Sequence, residues 1–348
     1  MCINREEYIE DPTLFKLSWE DEFEVPEGML DFTEKKASLA DPDGRMMSMT
    51  HRGDVKNYPE NSIEGIISAC MMGADIIEID VRYTKDGYAV LFHDDDTHTN
   101  DTTPGDDLVR TTNVLEVMGT VVNGIQLPES STFTDWTFEQ LRCLKLKTGK
   151  GGPNAAVTDY VIPTLEEALT VVKGRCFIMC DKITSTDSFK EIVLPYIKET
   201  RAYDTVILNQ EFGDTGALEI QGIIKELSEN TNQNVPFYLD KLSGSKPNTW
   251  QTGINENITA GLAPLFYFSG GLPSATEEDI SLSARLDNNQ ANLETVKGSA
   301  RIKIDCYGSN NGENAEMWAR CEELGLNVSF VENVLALQIY IADTHFKN

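Results

Sequence analysis

From residue 46 onward, short apolar runs alternate with longer stretches whose apolar residues recur at helical spacing. The runs are MMSMTHRG (46–53), ADIIEIDVRYT (74–84), YAVLFHD (88–94), CFIMCDKI (176–183), TVILNQEF (205–212), VPFYLDKL (235–242), LAPLFYFSG (262–270), RIKIDCYG (301–308) and LNVSFVEN (326–333). Between them lie NSIEGIISACMMG, TLEEALTVVKG, SFKEIVLPYIKE, ALEIQGIIKELSE, ENAEMWARCEELG and VLALQIYIAD. In the second of these, Thr164 followed three residues on by Glu167 reads as a capping box. Strands alternating with helices of this length predict βαβ units and a parallel sheet. Strands apolar on both faces suit a closed TIM (β/α)8 barrel.

Nine runs for eight barrel positions leave one accessory. The pair flanking Lys85-Asp86-Gly87 is the candidate, because so tight a turn joins antiparallel strands whereas parallel neighbours need a crossover. That reading leaves open how His93 reaches the barrel mouth. Residues 1–45 are acidic and weakly periodic, and predict an N-terminal extension packed on the barrel. Residues 46–348 show no repeat or linker and predict a single barrel domain. Residues 95–135 read as a long polar insertion without a strong pattern, the kind of loop that tends to be functional or mobile.

Charge narrows the partners. The 348 residues hold 29 Lys and Arg against 57 Asp and Glu, a net charge of −28. Such a field repels nucleic acid and anionic membrane surfaces, so neither is an expected partner. An anionic small-molecule substrate requires a local exception, a bound cation or a few placed basic residues. No run of about 18 apolar residues predicts a membrane span. The N-terminal MCINREEYIEDPTLF lacks an apolar core and does not read as a signal peptide, which predicts a cytoplasmic protein. Seven cysteines without metal spacing read as reduced thiols, several of them in core elements. Oligomeric state is not encoded in these patterns.

The candidate chemistry sits at strand ends. Strand residues two apart share a face, so Glu78 and Asp80 project together while Ile77 and Ile79 face the other way. Two carboxylates on a buried strand need compensation, and a hard divalent cation, Mg²⁺ or Ca²⁺, supplies it. Alone, such a pair is more commonly a solvated strand end. His51 and His93, two of only four histidines, each end an apolar strand, and a histidine pair can supply one base and one acid near neutral pH. A lone histidine there is more often structural, but both lie beside the candidate metal carboxylates. Arg52 and Lys182 are the basic residues placed to offset a phosphate. DDDTHTND (94–101) does not fit a calcium-binding loop, because Gly105 stands where the closing Glu belongs. His98 and His345 read as surface residues.

HRG (51–53), PENS (59–62), GADIIEIDVRYTKDG (73–87), VLFHD (90–94) and IPTLEEAL (162–169) together resemble the glycerophosphodiester phosphodiesterase family, over about residues 46–183. The resemblance implies a TIM barrel of the phospholipase-C-like phosphodiesterase type and metal-dependent hydrolysis of a glycerophosphodiester to an alcohol and glycerol phosphate. It implies His51 and His93 in acid/base work, Glu78 and Asp80 on the cation, and Arg52 and Lys182 on the phosphate. Glu60 would orient Arg52 or hold its loop. The family's third metal ligand belongs to a Glu-x-Lys strand, for which this chain has Met179-Cys180-Asp181-Lys182. Asp181 and Lys182 cannot both face inward on a regular strand, so either a bulge re-aims one of them and Asp181 is the ligand, as expected, or Cys180 occupies the Glu position and the third ligand is lost. Asp305, Tyr307 and Glu332 stand where relatives place an aromatic and an acid. The nucleophile, water or the substrate's own hydroxyl, stays open. Phospholipases of the sphingomyelinase D or phosphatidylinositol-specific type, and a non-catalytic phosphodiester-binding descendant, are the competing readings.

Overall fold

The computed structural model describes residues 30–94, 108–183, 185–208, 213–229, 236–241, 250–259, 263–268, 282–306 and 312–346. Eight parallel strands form the barrel sheet: β1 (Met47–His51), β2 (Ile76–Tyr83), β3 (Phe177–Asp181), β4 (Val206–Ile207), β5 (Pro236–Lys241), β6 (Ala263–Tyr267), β7 (Arg301–Asp305) and β8 (Val328–Val331). Their hydrogen-bonded order is β4-β3-β2-β1-β8-β7-β6-β5. First and last strands in the chain are thus neighbours, as barrel closure requires. The remaining seam brings β4 against β5, without a ladder among the described residues. Of the predicted runs, 209–212, 235, 242, 262, 269–270 and 307–308 lie outside the described residues, Tyr307 included.

The alternation of side chains divides the apolar residues into two groups. Met47, Met49, Ile76, Phe177, Met179, Ile207, Leu265, Val328 and Phe330 point inward and fill the barrel. Ile77, Ile79, Ile178, Cys180, Val206, Ile302 and Ile304 point outward against the helices. The accessory strand is Ala89–Leu91, which pairs antiparallel with the upper half of β2, Val81 opposite Leu91. The same run continues back down β2, and the Phe92 N–H donates to the Asp80 carbonyl at 3.0 Å. This fold-back is how His93 returns to the barrel mouth.

Helix formation follows local signals where they are strong. Thr164 caps the helix Leu165–Val172 in a capping box with Glu167, and Ser62 caps Ile63–Met71 by accepting from the Gly65 N–H. The helices Trp250–Thr259 and Leu282–Val296 are too polar to stand out by periodicity. The insertion differs from expectation. Residues 95–107 lie outside the described residues, but 108–135 are not a patternless loop. With residues up to 162 they bury Leu108, Val114, Leu127, Phe133, Trp136, Leu141, Leu144, Leu146 and Ile162 in a separate core under Val90 and Phe92. Short helices and a two-stranded hairpin scatter these apolar positions without a common period.

The extension is seen from residue 30. Its helix Phe32–Ala40 closes the lower end of the barrel, Phe32 packing on Phe177 with ring centroids 5.2 Å apart. Lys35 Nζ donates to the carbonyls of Ala74 and Arg175 at 2.8 and 3.0 Å. Arg301, 2% exposed, donates to the carbonyls of Ser38, Arg45, Gly44 and Asn327 at 3.0, 2.6, 3.2 and 3.3 Å. No helix among the described residues is long and apolar enough to cross a membrane. The six described cysteines are buried and unbridged.

Replacing Arg301 by Met takes the guanidinium away from the Gly44 and Arg45 carbonyls and removes a second donor from those of Ser38 and Asn327, which keep the Asp41 and Met47 N–H groups; each carbonyl left unmet costs about 1–3 kcal/mol. The expected loss of stability is at least about 3 kcal/mol, read from urea unfolding. Arg320→Ala, which removes an ion pair with the exposed Asp287, should cost under about 1 kcal/mol.

Candidate active site

The top of the barrel interior changes abruptly from apolar to charged. Register explains why: His51 pairs with Glu78 across β1 and β2, and Asp80 pairs with Asp181 across β2 and β3. Asp181 follows Phe177 and Met179 on the inward face, whereas Cys180 belongs to the outer core. One carboxylate oxygen from each of Glu78, Asp80 and Asp181 lies within 4.8 Å of the other two, a spacing that could hold a metal ion. Lys182 follows at φ +70°, off the strand alternation, and makes no ion pair among the described residues. No bulge is needed: the strand stays regular through Asp181 and the chain turns immediately after it.

Crowding of negative charge is visible in Glu78. Burial, then Asp80 and Asp181, push its pKa well above the usual carboxylate range, while Arg52 and Lys303 pull it down. Lys303 is buried inside the barrel, its ammonium 3.0 Å from Asp305 Oδ1 and 4.1 Å from the Phe330 ring centre. Burial also acts on Cys180, with Glu78 and Asp181 adding to it, and raises the thiol to about 12.

Arg52 leaves β1 in the left-handed region at φ +61°, followed by Gly53 at +85°. A Cβ on Gly53 would come within 3.0 Å of the Gly65 backbone, so the HRG turn can press against the helix Ile63–Met71 only with glycine there. The turn aims the Arg52 guanidinium at two acids: Nη1 lies 2.9 Å from Glu60 Oε2 and Nε lies 3.2 Å from Asp80 Oδ2. Its backbone N–H donates to Glu78 Oε2 at 3.1 Å. Burial works against the charge, yet Glu60, Asp80 and Glu78 outweigh it and raise the Arg52 pKa. Asn61 brackets Asp80, its Nδ2 donating to Oδ2 at 2.9 Å and its Oδ1 accepting from the Asp80 N–H at 3.1 Å.

His51 is buried edge-on against Phe330, with ring centroids 5.1 Å apart. Its Nδ1 stands 3.6 Å from Glu332 Oε1. Burial pushes its pKa down to about 4, against an opposing pull from Glu332. Glu332, held by His51 and by an ion pair with Lys150, drops to about 2. His93, on the fold-back, places Nδ1 2.9 Å from Asp94 Oδ1. Arg110, from the insertion, grips Asp94 with Nε and Nη2, both at 2.7 Å, and Glu60 Oε1 with Nη2 at 2.5 Å. Ligand-type atoms of Glu60, His93 and Asp94 form a second cluster within 4.8 Å, but Arg110 already neutralises its acids.

Of the residues singled out in the sequence, Glu78, Asp80 and Asp181 therefore converge, Arg52 joins Glu60 to Asp80, and His51 and His93 each meet a carboxylate. Asn61, Asp94, Arg110, Lys150 and Lys303 were not anticipated. Asn61 stands inside PENS and Asp94 follows His93, so motif proximity could have flagged them; Arg110 and Lys150 carry no spacing signal. His345 is not the bare surface residue expected, since its Nε2 lies 2.9 Å from Glu322 Oε1. His98 lies outside the described residues.

The profile of the glycerophosphoryl diester phosphodiesterase family matches residues 51–258. A glycerophosphodiester phosphodiesterase of Caldanaerobacter subterraneus subsp. tengcongensis is 31% identical over 170 residues, covering 47% of this chain and 58% of that protein. One from Bacillus altitudinis is 33% identical over 129 residues, 37% of this chain and 41% of that one. The matches thus span about half the length of these relatives. A glycerophosphoryl diester phosphodiesterase structure from Parabacteroides distasonis superposes with a TM-score of 0.56 at 20% identity, covering 90% of this chain and 93% of that one. At that identity the likeness speaks to the barrel fold.

The raised Glu78 pKa makes a stability prediction for metal-free protein. A carboxyl with a raised folded pKa binds its proton more tightly folded than unfolded, so its contribution is full below 4.5 and declines as pH rises. His51, lowered from 6.5 to about 4, and Glu332, lowered from 4.5 to about 2, act oppositely, and their gains are complete by pH 6.5. In EDTA, Glu78→Gln should melt at a higher temperature than the unaltered protein, the gap widening as pH rises above about 5. A lower or equal melting temperature throughout would contradict the uncompensated charge.

Proposed function

Because the chain belongs to the glycerophosphoryl diester phosphodiesterase family, we propose that it hydrolyses a glycerophosphodiester to an alcohol and glycerol phosphate, using His51 and His93 as base and acid beside a divalent cation. The observation that carries this reading is the convergence of Glu78, Asp80 and Asp181 at the barrel end where His51 stands in register with Glu78.

The residues fit a cation. Three carboxylates within ligand reach, one of them with its ionised form strongly disfavoured by its neighbours, make a hard oxygen donor set suited to Mg²⁺ or Ca²⁺. A cation bound there would polarise the phosphoryl oxygens and stabilise the charge that develops on them. Arg52 offers a planar fork for phosphate, pre-oriented by Glu60 and Asp80. Asn61 donates to the Asp80 carboxylate and accepts from the Asp80 backbone N–H, so Asp80 need not reorganise.

The histidines differ in environment, and their proposed roles are drawn from that difference. His51, with its pKa near 4, is neutral at pH 7 and accepts the proton of the nucleophile. That nucleophile is water or the adjacent glycerol hydroxyl, the second route passing through a cyclic phosphate. His93 faces Asp94 through Nδ1, which leaves Nε2 as the nitrogen to protonate the departing alkoxide. The apolar floor of Met49, Met179 and Phe330 below the site keeps water from one side and strengthens these interactions.

The test is release of choline, ethanolamine or inositol from their glycerophosphodiesters with Mg²⁺, Ca²⁺ or EDTA. Turnover should require the cation, and His51→Ala should lower it by roughly two to four orders of magnitude. Asp181→Asn should raise the cation concentration needed far more than Cys180→Ser, whose side chain faces the helices. EDTA-resistant turnover, or His51→Ala with unchanged turnover, would overturn the mechanism. A stable cyclic product from an intact lipid would favour the phospholipase reading, and tight binding without product a non-catalytic one.

A further inference from the structure

The insertion, taken with the segment up to residue 162 that completes its core, meets the barrel mouth at two basic residues, and each reaches a histidine through one acid. Arg110 binds both oxygens of Asp94, at 2.7 Å from Nε and 2.7 Å from Nη2, and Asp94 Oδ1 lies 2.9 Å from His93 Nδ1. Lys150 pairs with Glu332 Oε1, the oxygen 3.6 Å from His51 Nδ1. We infer that the insertion positions both histidines, Arg110 through Asp94 and Lys150 through Glu332. The inference rests on the proposed roles of His51 and His93.

A carboxylate beside an imidazole orients the ring only if it is itself held, because its own torsions are soft. The guanidinium fork engages both Asp94 oxygens in one plane and removes that freedom. Glu332 is fixed comparably: Lys56 lies 3.7 Å from Oε2, Lys150 holds Oε1, and its backbone N–H donates to Glu313 at 2.5 Å.

The two anchors are one unit. Arg110 Nη1 donates to the Lys150 carbonyl, and the Gly152 N–H donates to the Arg110 carbonyl at 2.7 Å. Gly151 sits at φ +75°, and a Cβ there would overlap the Arg110 carbonyl. Lys147 N–H donates to the Thr111 carbonyl at 2.8 Å, and Glu60 N–H to the Gly149 carbonyl at 2.8 Å. A displacement of the glycine loop 149–152 therefore moves both cations, together with the Glu60 that orients Arg52.

The experiment combines kinetics with ring ¹⁵N spectra of histidine-labelled full-length protein, unaltered and as Arg110→Ala, Arg110→Lys and Lys150→Ala. Glycerophosphocholine, glycerophosphoethanolamine and glycerophosphoinositol serve as substrates. Arg110→Ala should lower kcat about 10- to 100-fold with KM within about threefold. It should shift the His93 ring signals, leave those of His345 in place, and regain turnover in millimolar guanidinium. Lys150→Ala should shift the His51 signals instead. Arg110→Lys keeps the charge without the fork and should fall between, and it carries the test if the alanine variant does not fold. Unchanged His93 signals in the Arg110 variants would overturn the inference whatever the turnover, because a loss of rate would then come from another cause. If the unaltered protein turns over none of the three diesters, the proposed function fails while the ring spectra still decide the inference.

Discussion

Three carboxylates converging inside the barrel are the constraint around which the rest of the site is arranged. Asp80 and Asp181 are brought together by the ladder itself, as paired residues on adjacent parallel strands, and Glu78 shares the Asp80 face one step below. Placing like charges this close in a poorly solvated interior disfavours ionisation unless positive charge comes near. With a net charge of −28, the protein as a whole cannot supply it. Local exceptions do: Arg52 on Asp80, Lys303 near Glu78, and a place for a cation among the three oxygens. The left-handed turn at Arg52-Gly53 follows from that need, because only a chain that doubles back at the end of β1 returns a guanidinium to β2.

The accessory strand and the insertion follow from the same geometry. A barrel strand presents only one or two inward residues at the mouth, and those of β2 are already occupied by acids. A second histidine near β2 must arrive on another segment, and the antiparallel fold-back provides one without breaking the barrel order. The segment that carries it has no parallel neighbour to hold it. Its packing comes instead from the insertion core, in which Phe92 stacks on Phe133. A catalytic candidate at the end of such a strand depends on tertiary contacts far from it in sequence.

What could be read from the chain tracks how local the cause is. The period-2 alternation in IIEID and the turn at Lys85-Asp86-Gly87 depend on neighbouring residues alone, and both appear as expected. The Asp181 alternative rested on the same rule, and inward Phe177 and Met179 settle which of Cys180 and Asp181 faces the mouth. The positive φ at Lys182 is not legible, since nothing in a lysine announces a left-handed residue. Nor is Arg110: VRTTN lies in a region whose apolar residues serve several short elements, so no single period marks what is buried. Lys150 gave only an indirect hint, as a basic residue among glycines that permit close backbone approach. The polar helix Leu282–Val296 was missed because its position is fixed by the barrel, not by its own amphipathic stripe.

The two ends of the barrel show how one sheet separates stability from chemistry. At the lower end, Arg45 pairs with the fully buried Asp75 at 2.5 Å, and Arg301 and Lys35 give their donors to backbone carbonyls, so each of these cations has acceptors in place. At the upper end the matching is incomplete, with Glu78 driven toward its neutral form and His51 denied its charge. Met49, Phe330 and Met179 form the layer between. That layer seats the upper charges on a floor of low polarity, where each unmet interaction is stronger than it would be in water. Charges that are unmatched in the resting protein are those available to a cation and a phosphate, so the incompleteness at the top is the property a phosphodiester site needs.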